Sequence, residues 1–152
     1  MKMSIEIDKS FLGNSYARFE LALRGINTLD TQKSLQISLL TNSLQKLAVT
    51  SALMTNHKTI KNNVEYNYNF WEYKIPQNDF DFLICTCFEN QDNKFIPNGW
   101  FIFPKNIINK LTTKNTLNIF ESDISGNYSK DPKINKNLYF KNWKLLKDEK
   151  KV

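Results

Sequence analysis

The sequence of 152 residues contains no apolar run that approaches the roughly 20 residues of a membrane-spanning helix. Its first ten residues, MKMSIEIDKS, also lack the uninterrupted apolar core of a signal peptide, so we expect a cytoplasmic protein. Cysteine and histidine are scarce, since Cys85, Cys87 and His57 are the only three. A zinc site built from these residue types is therefore not expected, because structural zinc usually takes about four such ligands.

Cys85 and Cys87 lie two positions apart in a predicted strand, so their side chains point to the same face. Neighbouring positions on one face of a strand are poorly placed for a disulfide bond. We interpret both residues as small apolar members of the core.

The net charge of +6 is distributed unevenly along the chain. From Lys130 onward there are eight lysines against Asp131, Asp148 and Glu149, whereas the preceding residues include 13 basic and 12 acidic ones. A basic C-terminal segment is compatible with contacts to phosphate, and it is equally typical of a solvated tail. We expect residues 147–152, which have nothing to bury, to fray.

The stretch 65–103 has three runs rich in aromatic and β-branched residues, separated by turn residues, which predicts three consecutive antiparallel strands. The second run, 80–88, is almost continuously apolar and is typical of a central strand covered on both faces. The third run ends at Pro104, where a helix can start. Alternation in the first run places Tyr66, Tyr68 and Phe70 on one face and Asn67, Asn69, Trp71 and Tyr73 on the other.

Two helices are predicted beside this sheet, over residues 8–25 and 105–111. Asp8 or Ser10 can cap the first helix, and the interior Gly13 marks either its true start or a close packing contact. Residues 30–62 fit either a helix or two strands, over 35–40 and 47–53, and periodicity supports both. The later part of the chain predicts an edge strand at 116–120, an open loop, and an apolar segment at 138–146 with Trp143 as a packing anchor. We therefore expect a single α/β (α+β) domain over 1–152, a mixed central sheet flanked by helices.

The order of these segments resembles that of restriction-endonuclease-like proteins of the PD-(D/E)xK superfamily. The phrases that carry the resemblance are Asp81-Phe82-Leu83-Ile84, within a predicted strand, and Phe103-Pro104-Lys105, which opens the second helix. The resemblance implies a restriction-endonuclease-like fold and DNA binding or processing in bacterial or phage defence, as in restriction-modification. It further implies a magnesium-dependent deoxyribonuclease or a catalytically inactive relative.

Such nucleases place two carboxylates and a lysine on neighbouring strands, where the carboxylates hold Mg²⁺ and the metal activates water. One alignment puts these residues near Ser38, Ala48 and Thr50, none of which is ionisable. The other uses Glu72-Tyr73-Lys74, because residues two apart on a strand share a face. The resulting candidates are Glu72, Asp79 and Asp81 as metal ligands and Glu72, Lys74 and Asp81 as catalytic residues. An ion pair on an exposed sheet face explains Glu72 and Lys74 equally well.

The segment 44–64 is also similar to a helix-turn-helix, with the turn at 54–56 and a recognition helix that begins at His57. Lys58, Lys61 and Asn62 would then contact DNA. A third hypothesis is a protein-interaction module, in which the exposed rings of the aromatic strand dock another protein. In this hypothesis the docking rings are Tyr66, Tyr68, Trp71 and Tyr73. The alternative is that the same rings are covered by the first helix. The oligomeric state stays open, with a homodimer among the alternatives.

Overall fold

The computed structural model describes residues 8–30, 39–77 and 79–146. None of the helices in these ranges is long and apolar enough to cross a lipid bilayer. The elements follow one another as α1 (Lys9–Leu23), β1 (Thr28–Asp30), β2 (Leu39–Thr41), β3 (Lys46–Leu53), β4 (Thr55–Lys61), β5 (Val64–Lys74), β6 (Phe82–Gln91), β7 (Lys94–Pro104), α2 (Lys105–Leu111), β8 (Thr116–Phe120), α3 (Glu121–Ser125) and two 3-10 helices (Lys136–Tyr139 and Trp143–Leu146).

The strands form two sheets. The larger sheet has the order β1-β2-β3-β6-β7, in which β3 and β6 are parallel and the other pairs are antiparallel. The smaller sheet has the order β4-β5-β8 and is antiparallel throughout. This arrangement confirms the predicted α/β (α+β) class with a mixed central sheet flanked by helices.

The central position of β6 is confirmed, because β3 and β7 pair with its two edges and six consecutive residues from Leu83 are buried. The prediction of three consecutive antiparallel strands is wrong for β5, which belongs to the smaller sheet. With both edges of β6 occupied, β5 instead packs its face across β6. Its Trp71 Nε1 donates a 2.9 Å hydrogen bond to the carbonyl oxygen of Phe88, and its Tyr73 hydroxyl donates one of 2.9 Å to that of Thr86.

Two apolar layers cover the faces of the larger sheet. The layer between the sheets includes Ala48, Trp71, Tyr73, Leu83, Cys85, Cys87, Phe101, Phe103, Leu117 and Ile119. The layer on the other face lies under α1 and the last 3-10 helix and includes Ala17, Leu21, Leu47, Ile84, Trp100, Ile102, Trp143 and Leu146. The predicted roles of the two cysteines as core residues and of Trp143 as a packing anchor are confirmed.

The first helix lies close to the larger sheet because Gly13 has no side chain. A Cβ atom at this position would collide with Ser51 Oγ of β3, so Gly13 marks a close packing contact rather than the helix start. The Asp8 carboxylate caps the helix by accepting a 3.1 Å hydrogen bond from the Phe11 backbone N–H. Gly25 follows the helix with φ 76°, a left-handed conformation that glycine adopts without strain.

Residues 44–64 contain β3, β4 and the turn between β4 and β5, so the helix-turn-helix interpretation of this segment is wrong. Asn62 and Asn63, at the tip of this β4–β5 hairpin, have φ values of 51° and 61°. Two consecutive residues in the left-handed conformation form a tight hairpin turn, and Asn favours this conformation. The turn therefore favours two antiparallel strands over two helices in this segment. The strand alternative is confirmed for the predicted strand 47–53, which lies in β3. Of the predicted strand 35–40 only residues 39 and 40 are described, and they belong to β2; residues 31–38, Ser38 among them, lie outside the described part.

The remaining predicted elements are also found in the structure. The helix at 105–111 and the edge strand at 116–120 are α2 and β8. The prediction that residues 147–152 fray concerns residues that are not described.

Candidate nucleic-acid interface

The outer face of the smaller sheet carries a row of partly exposed rings. In β5 the side chains of Trp71 and Tyr73 point inward, which leaves Tyr66, Tyr68 and Phe70 on the outer face. Tyr66 is 50% exposed and Tyr68 is 41% exposed. The backbone positions of same-face neighbours on a strand are about 7 Å apart, so the three rings form a row, in which the Tyr68 and Phe70 ring centroids are 5.9 Å apart.

Pairing in the smaller sheet adds two rings to this row. His57 of β4 lies opposite Tyr68, with ring centroids 5.0 Å apart. Phe120 of β8 lies opposite Phe70, with ring centroids 6.1 Å apart, and it is also 5.9 Å from the ring of Tyr68. We call Tyr66, Tyr68, Phe70, His57 and Phe120 the aromatic row.

Lysines lie around the aromatic row. Lys61 is opposite Val64 at the hairpin tip, and Lys74 is opposite Thr116 at the other end of β5, both on the outer face. Lys136 Nζ is 5.4 Å from the centroid of the Phe120 ring. The face therefore combines exposed π-surfaces with cations, the two features by which sheets bind nucleic-acid single strands.

The position of Lys136 is set by a buried carboxylate. Asp123 is 4% exposed, and its Oδ2 accepts hydrogen bonds from Lys136 Nζ at 3.2 Å and from the Phe120 backbone N–H at 2.8 Å. Asn137 Nδ2 donates to the carbonyl oxygen of Asp123 at 2.9 Å. These bonds tie the segment after the open loop to the end of β8, so the cation beside Phe120 is held in place.

The opposite face of the hairpin has an amide network rather than rings. Asn56 Nδ2 donates to Asn67 Oδ1 at 2.5 Å and to Asn69 Oδ1 at 2.7 Å. Asn69 Nδ2 in turn donates to Glu121 Oε1 of α3 at 2.8 Å. Where β4 and β5 leave the core, this network connects the hairpin to the body of the molecule.

The residues proposed for catalysis lie in different layers of the structure. Glu72 and Lys74 do share a face, but it is the outer face of the smaller sheet, where Asn118 is the partner of Glu72. Asp79 and Asp81 precede β6 of the larger sheet. Among the described residues no group of three or more His, Cys, Asp or Glu side chains could hold a metal ion.

Asp79 and Asp81 instead make local contacts near the start of β6. Asp79 forms ion pairs with Lys105 at 2.9 Å and with Lys46 at 3.2 Å. Hydrogen bonds from Lys105 and then from Lys46 lower the pKa of the Asp79 carboxyl. Asp81 Oδ2 accepts a 2.8 Å hydrogen bond from the backbone N–H of Lys46, so this carboxylate holds β3 beside β6.

The three residues predicted to contact DNA from a recognition helix lie on the β4–β5 hairpin instead, and they do not share one face. Lys61 lies on the outer face with the aromatic row, whereas Lys58, opposite Asn67, lies on the amide face. Asn62 forms the hairpin turn. Two members of the row, His57 and Phe120, were not predicted as site residues. Alternation along β4 could have indicated His57, but Phe120 joins the row only through the pairing of β8 with β5.

We compared the chain with models of protein families, with curated proteins and with solved structures, and none of the three comparisons finds a match.

Proposed function

We propose that this protein binds single-stranded nucleic acid on the outer face of its smaller sheet. The observation that carries the proposal is the aromatic row, in which Tyr66, Tyr68 and Phe70 take alternate positions of β5 on a face that the described residues leave partly exposed, with the Tyr68 and Phe70 ring centroids 5.9 Å apart. Bases of a single strand stack on such rings whatever their sequence, and each stacked base contributes about 1–3 kcal/mol.

The distribution of charge supports this choice of partner over an apolar protein surface. Lys61 and Lys74 lie on the outer face at the two ends of the row, where the phosphates of a strand along β5 would pass. Lys136 lies beside Phe120, but its charge is paired with Asp123 and its side chain is only 17% exposed. The chain also has a net charge of +6, which attracts a polyanion at long range.

Glu72 has a different role in this proposal from the one that a nuclease would give it. It is an exposed carboxylate between Phe70 and Lys74 on the same face. A carboxylate there repels the phosphates of a bound strand. Replacing it removes a repulsion in a binding protein, whereas it removes a metal ligand in a PD-(D/E)xK nuclease.

The test is a fluorescence-anisotropy titration with 3′-labelled single-stranded DNA and RNA of mixed sequence at several salt concentrations. We expect Tyr68→Ala to weaken binding about tenfold, and Tyr68→Phe to retain it because the ring remains. Phe19→Ala is the matched control, since Phe19 is 60% exposed but lies on α1. Its affinity should equal that of the wild type.

Substitution of Glu72 separates binding from hydrolysis. Glu72→Gln should bind single strands at least as tightly as the wild type. If the wild type cleaves DNA with Mg²⁺ and Glu72→Gln does not, the nuclease hypothesis replaces the present one. If no single strand binds even at low salt, the proposal is overturned, and the hypothesis of a protein-interaction module applies to this face instead.

A further inference from the structure

A second cationic site lies at the end of the molecule where β3 and β6 begin and β7 ends. Lys46 starts β3 and Lys105 starts α2, so the two residues are far apart in sequence. Both ammonium groups contact the same carboxylate, with Lys105 Nζ 2.9 Å from Asp79 Oδ1 and Lys46 Nζ 3.2 Å from Asp79 Oδ2. The two lysines are thus placed to hold two oxygen atoms of one anionic group.

The backbone around Asp81 keeps these two lysines together. The Asp81 N–H donates to the carbonyl oxygen of Lys46 at 2.8 Å, and the Lys105 N–H donates to the carbonyl oxygen of Asp81 at 3.1 Å. The Asp81 carboxylate accepts from the Lys46 N–H at 2.8 Å. The main chain thus fixes the backbones of Lys46 and Lys105 relative to each other, and the Asp79 carboxylate bridges their ammonium groups.

Asp79 itself is weakly held. Its side chain is 75% exposed, and the side chains of Lys46 and Lys105 are each 44% exposed. An ion pair this exposed contributes little to stability, because water screens both charges. A competing anion of higher charge can therefore displace the Asp79 carboxylate at low cost.

A cavity of about 260 Å³ opens beside Lys105. Its lining includes the buried residues Phe80 and Ile108 and three residues with side-chain amides, Gln77, Asn109 and Asn115. These amides offer hydrogen-bond donors and acceptors of the kind that sugar hydroxyls and base edges use. The cavity can thus take the group attached to an anion that Lys105 holds.

We infer that Lys46, Lys105 and the adjacent cavity bind a terminal phosphate monoester of a nucleic-acid strand, in a site that Asp79 occupies in the free protein. A monoester carries a charge of about −1.5 to −2 at neutral pH, which matches two lysines better than an internal phosphodiester does. The cavity lies at the same end of β5 as Lys74, since Ile75 in its lining follows Lys74 directly, but Ile75 packs against the core whereas Lys74 lies on the outer face. The assignment of the strand end rests on the proposed function, whereas phosphate binding at the two lysines does not.

A first experiment tests the phosphate site alone by calorimetric titration with thymidine 5′-monophosphate, thymidine 3′-monophosphate and thymidine. We expect at least one monophosphate to bind and thymidine not to bind. Asp79→Asn should raise the monophosphate affinity roughly tenfold, because it removes the competing anion. Lys105→Gln should abolish the binding. Lys110→Gln is the matched control on the same helix, and it should behave as the wild type.

A second experiment compares otherwise identical single strands with a 5′-phosphate, a 3′-phosphate or two hydroxyl ends. We expect one phosphorylated strand to bind tighter than the hydroxyl strand, and Lys105→Gln to remove only this difference. Tyr68→Ala should weaken all three strands by the same factor. Equal binding of the monophosphates and thymidine overturns the phosphate site, whereas absence of binding by every strand overturns the proposed function alone.

Discussion

Trp71 joins the two sheets through a single side-chain hydrogen bond, in which its Nε1 donates to the carbonyl oxygen of Phe88 at 2.9 Å. Trp71 is fully buried on the inner face of β5, and Phe88 lies on β6 of the larger sheet. The same carbonyl accepts a 2.8 Å bond from the backbone N–H of Met54, the residue between β3 and β4. The Phe88 carbonyl oxygen thus accepts one hydrogen bond from the smaller sheet and one from the residue that connects β3 of the larger sheet to β4 of the smaller sheet.

Trp71→Phe should destabilise the fold by about 1 kcal/mol beyond the effect of the smaller ring, because it removes a buried hydrogen bond. The loss stays modest since the Phe88 oxygen keeps its bond from Met54. Trp100→Phe is the matched control, because Trp100 Nε1 is buried without a hydrogen-bond partner in the described part of the chain. Denaturant unfolding should show the larger loss for Trp71→Phe, and equal losses would contradict this account.

Gly13→Ala should destabilise the protein although alanine favours helices over glycine by about 1 kcal/mol. The added Cβ would collide with Ser51 Oγ, so this hydroxyl would have to rotate away, and the Ser51 Cβ at 3.1 Å would still press α1 away from β3. The double variant with Ser51→Gly should recover part of the loss, a coupling that a double-mutant cycle measures. Ser15→Ala, at an exposed position of α1, should leave the unfolding temperature unchanged or raise it slightly. A Gly13→Ala protein as stable as the wild type would show that the helix does not need this close approach.

Asp123→Ala should cost about 3 kcal/mol of unfolding free energy, because it leaves the partly buried ammonium group of Lys136 without its carboxylate. The side chains of this pair are 5% and 17% exposed. The comparison is Glu20→Ala, which breaks the ion pair with Arg24 one helical turn away. That pair is 20% and 35% exposed, so the expected cost is well below 1 kcal/mol. A similar cost for the two substitutions in chemical unfolding would refute the distinction.

The thiols of Cys85 and Cys87 should resist alkylation by iodoacetamide in the folded protein and react in denaturant. Burial raises the pKa of Cys87 from 9.0 to about 12, and a hydrogen bond from the Tyr73 hydroxyl partly opposes that rise. The folded state therefore keeps a proton that the unfolded chain releases above pH 9, and stability should fall as the pH rises from 9 towards 12. Cys87→Ala should show a shallower fall over this range. Rapid labelling of the native protein at pH 8 would contradict the prediction.

Local sequence patterns predicted several elements correctly for a simple physical reason. Alternation along β5 separates Tyr66, Tyr68 and Phe70 from Trp71 and Tyr73, because successive side chains of a strand point to opposite faces. The unbroken apolar run of β6 reflects burial on both sides. The capping chemistry of Asp8 acts within a few residues of chain. The wide apolar face predicted for α1 is only partly confirmed, because Ala17 and Leu21 are buried whereas Phe11, Phe19 and Leu23 are exposed. All of these features are visible without knowledge of distant partners.

Local patterns failed where distant segments compete. Nothing in the composition of β5 indicates that it pairs with β4 and β8 rather than with β6. The aromatic and β-branched residues of β5 suit either sheet, and the outcome depends on which strands take the edges of β6. The Asn62-Asn63 turn is a local signal for the β4–β5 hairpin, and it competes with the similarity of residues 44–64 to a helix-turn-helix.

The amino-acid sequence alone determined where the apolar faces lie, which segments form α1, α2, β5, β6 and β7, and that lysines outnumber acidic residues. Only the tertiary structure brought Phe120 and His57 beside Tyr68, and Lys46 and Lys105 to one carboxylate. The reason is that periodicity arises from bonds between near neighbours in the chain. The two candidate sites instead arise from strand pairing across long sequence separations, where the packing of the whole core decides among competing partners.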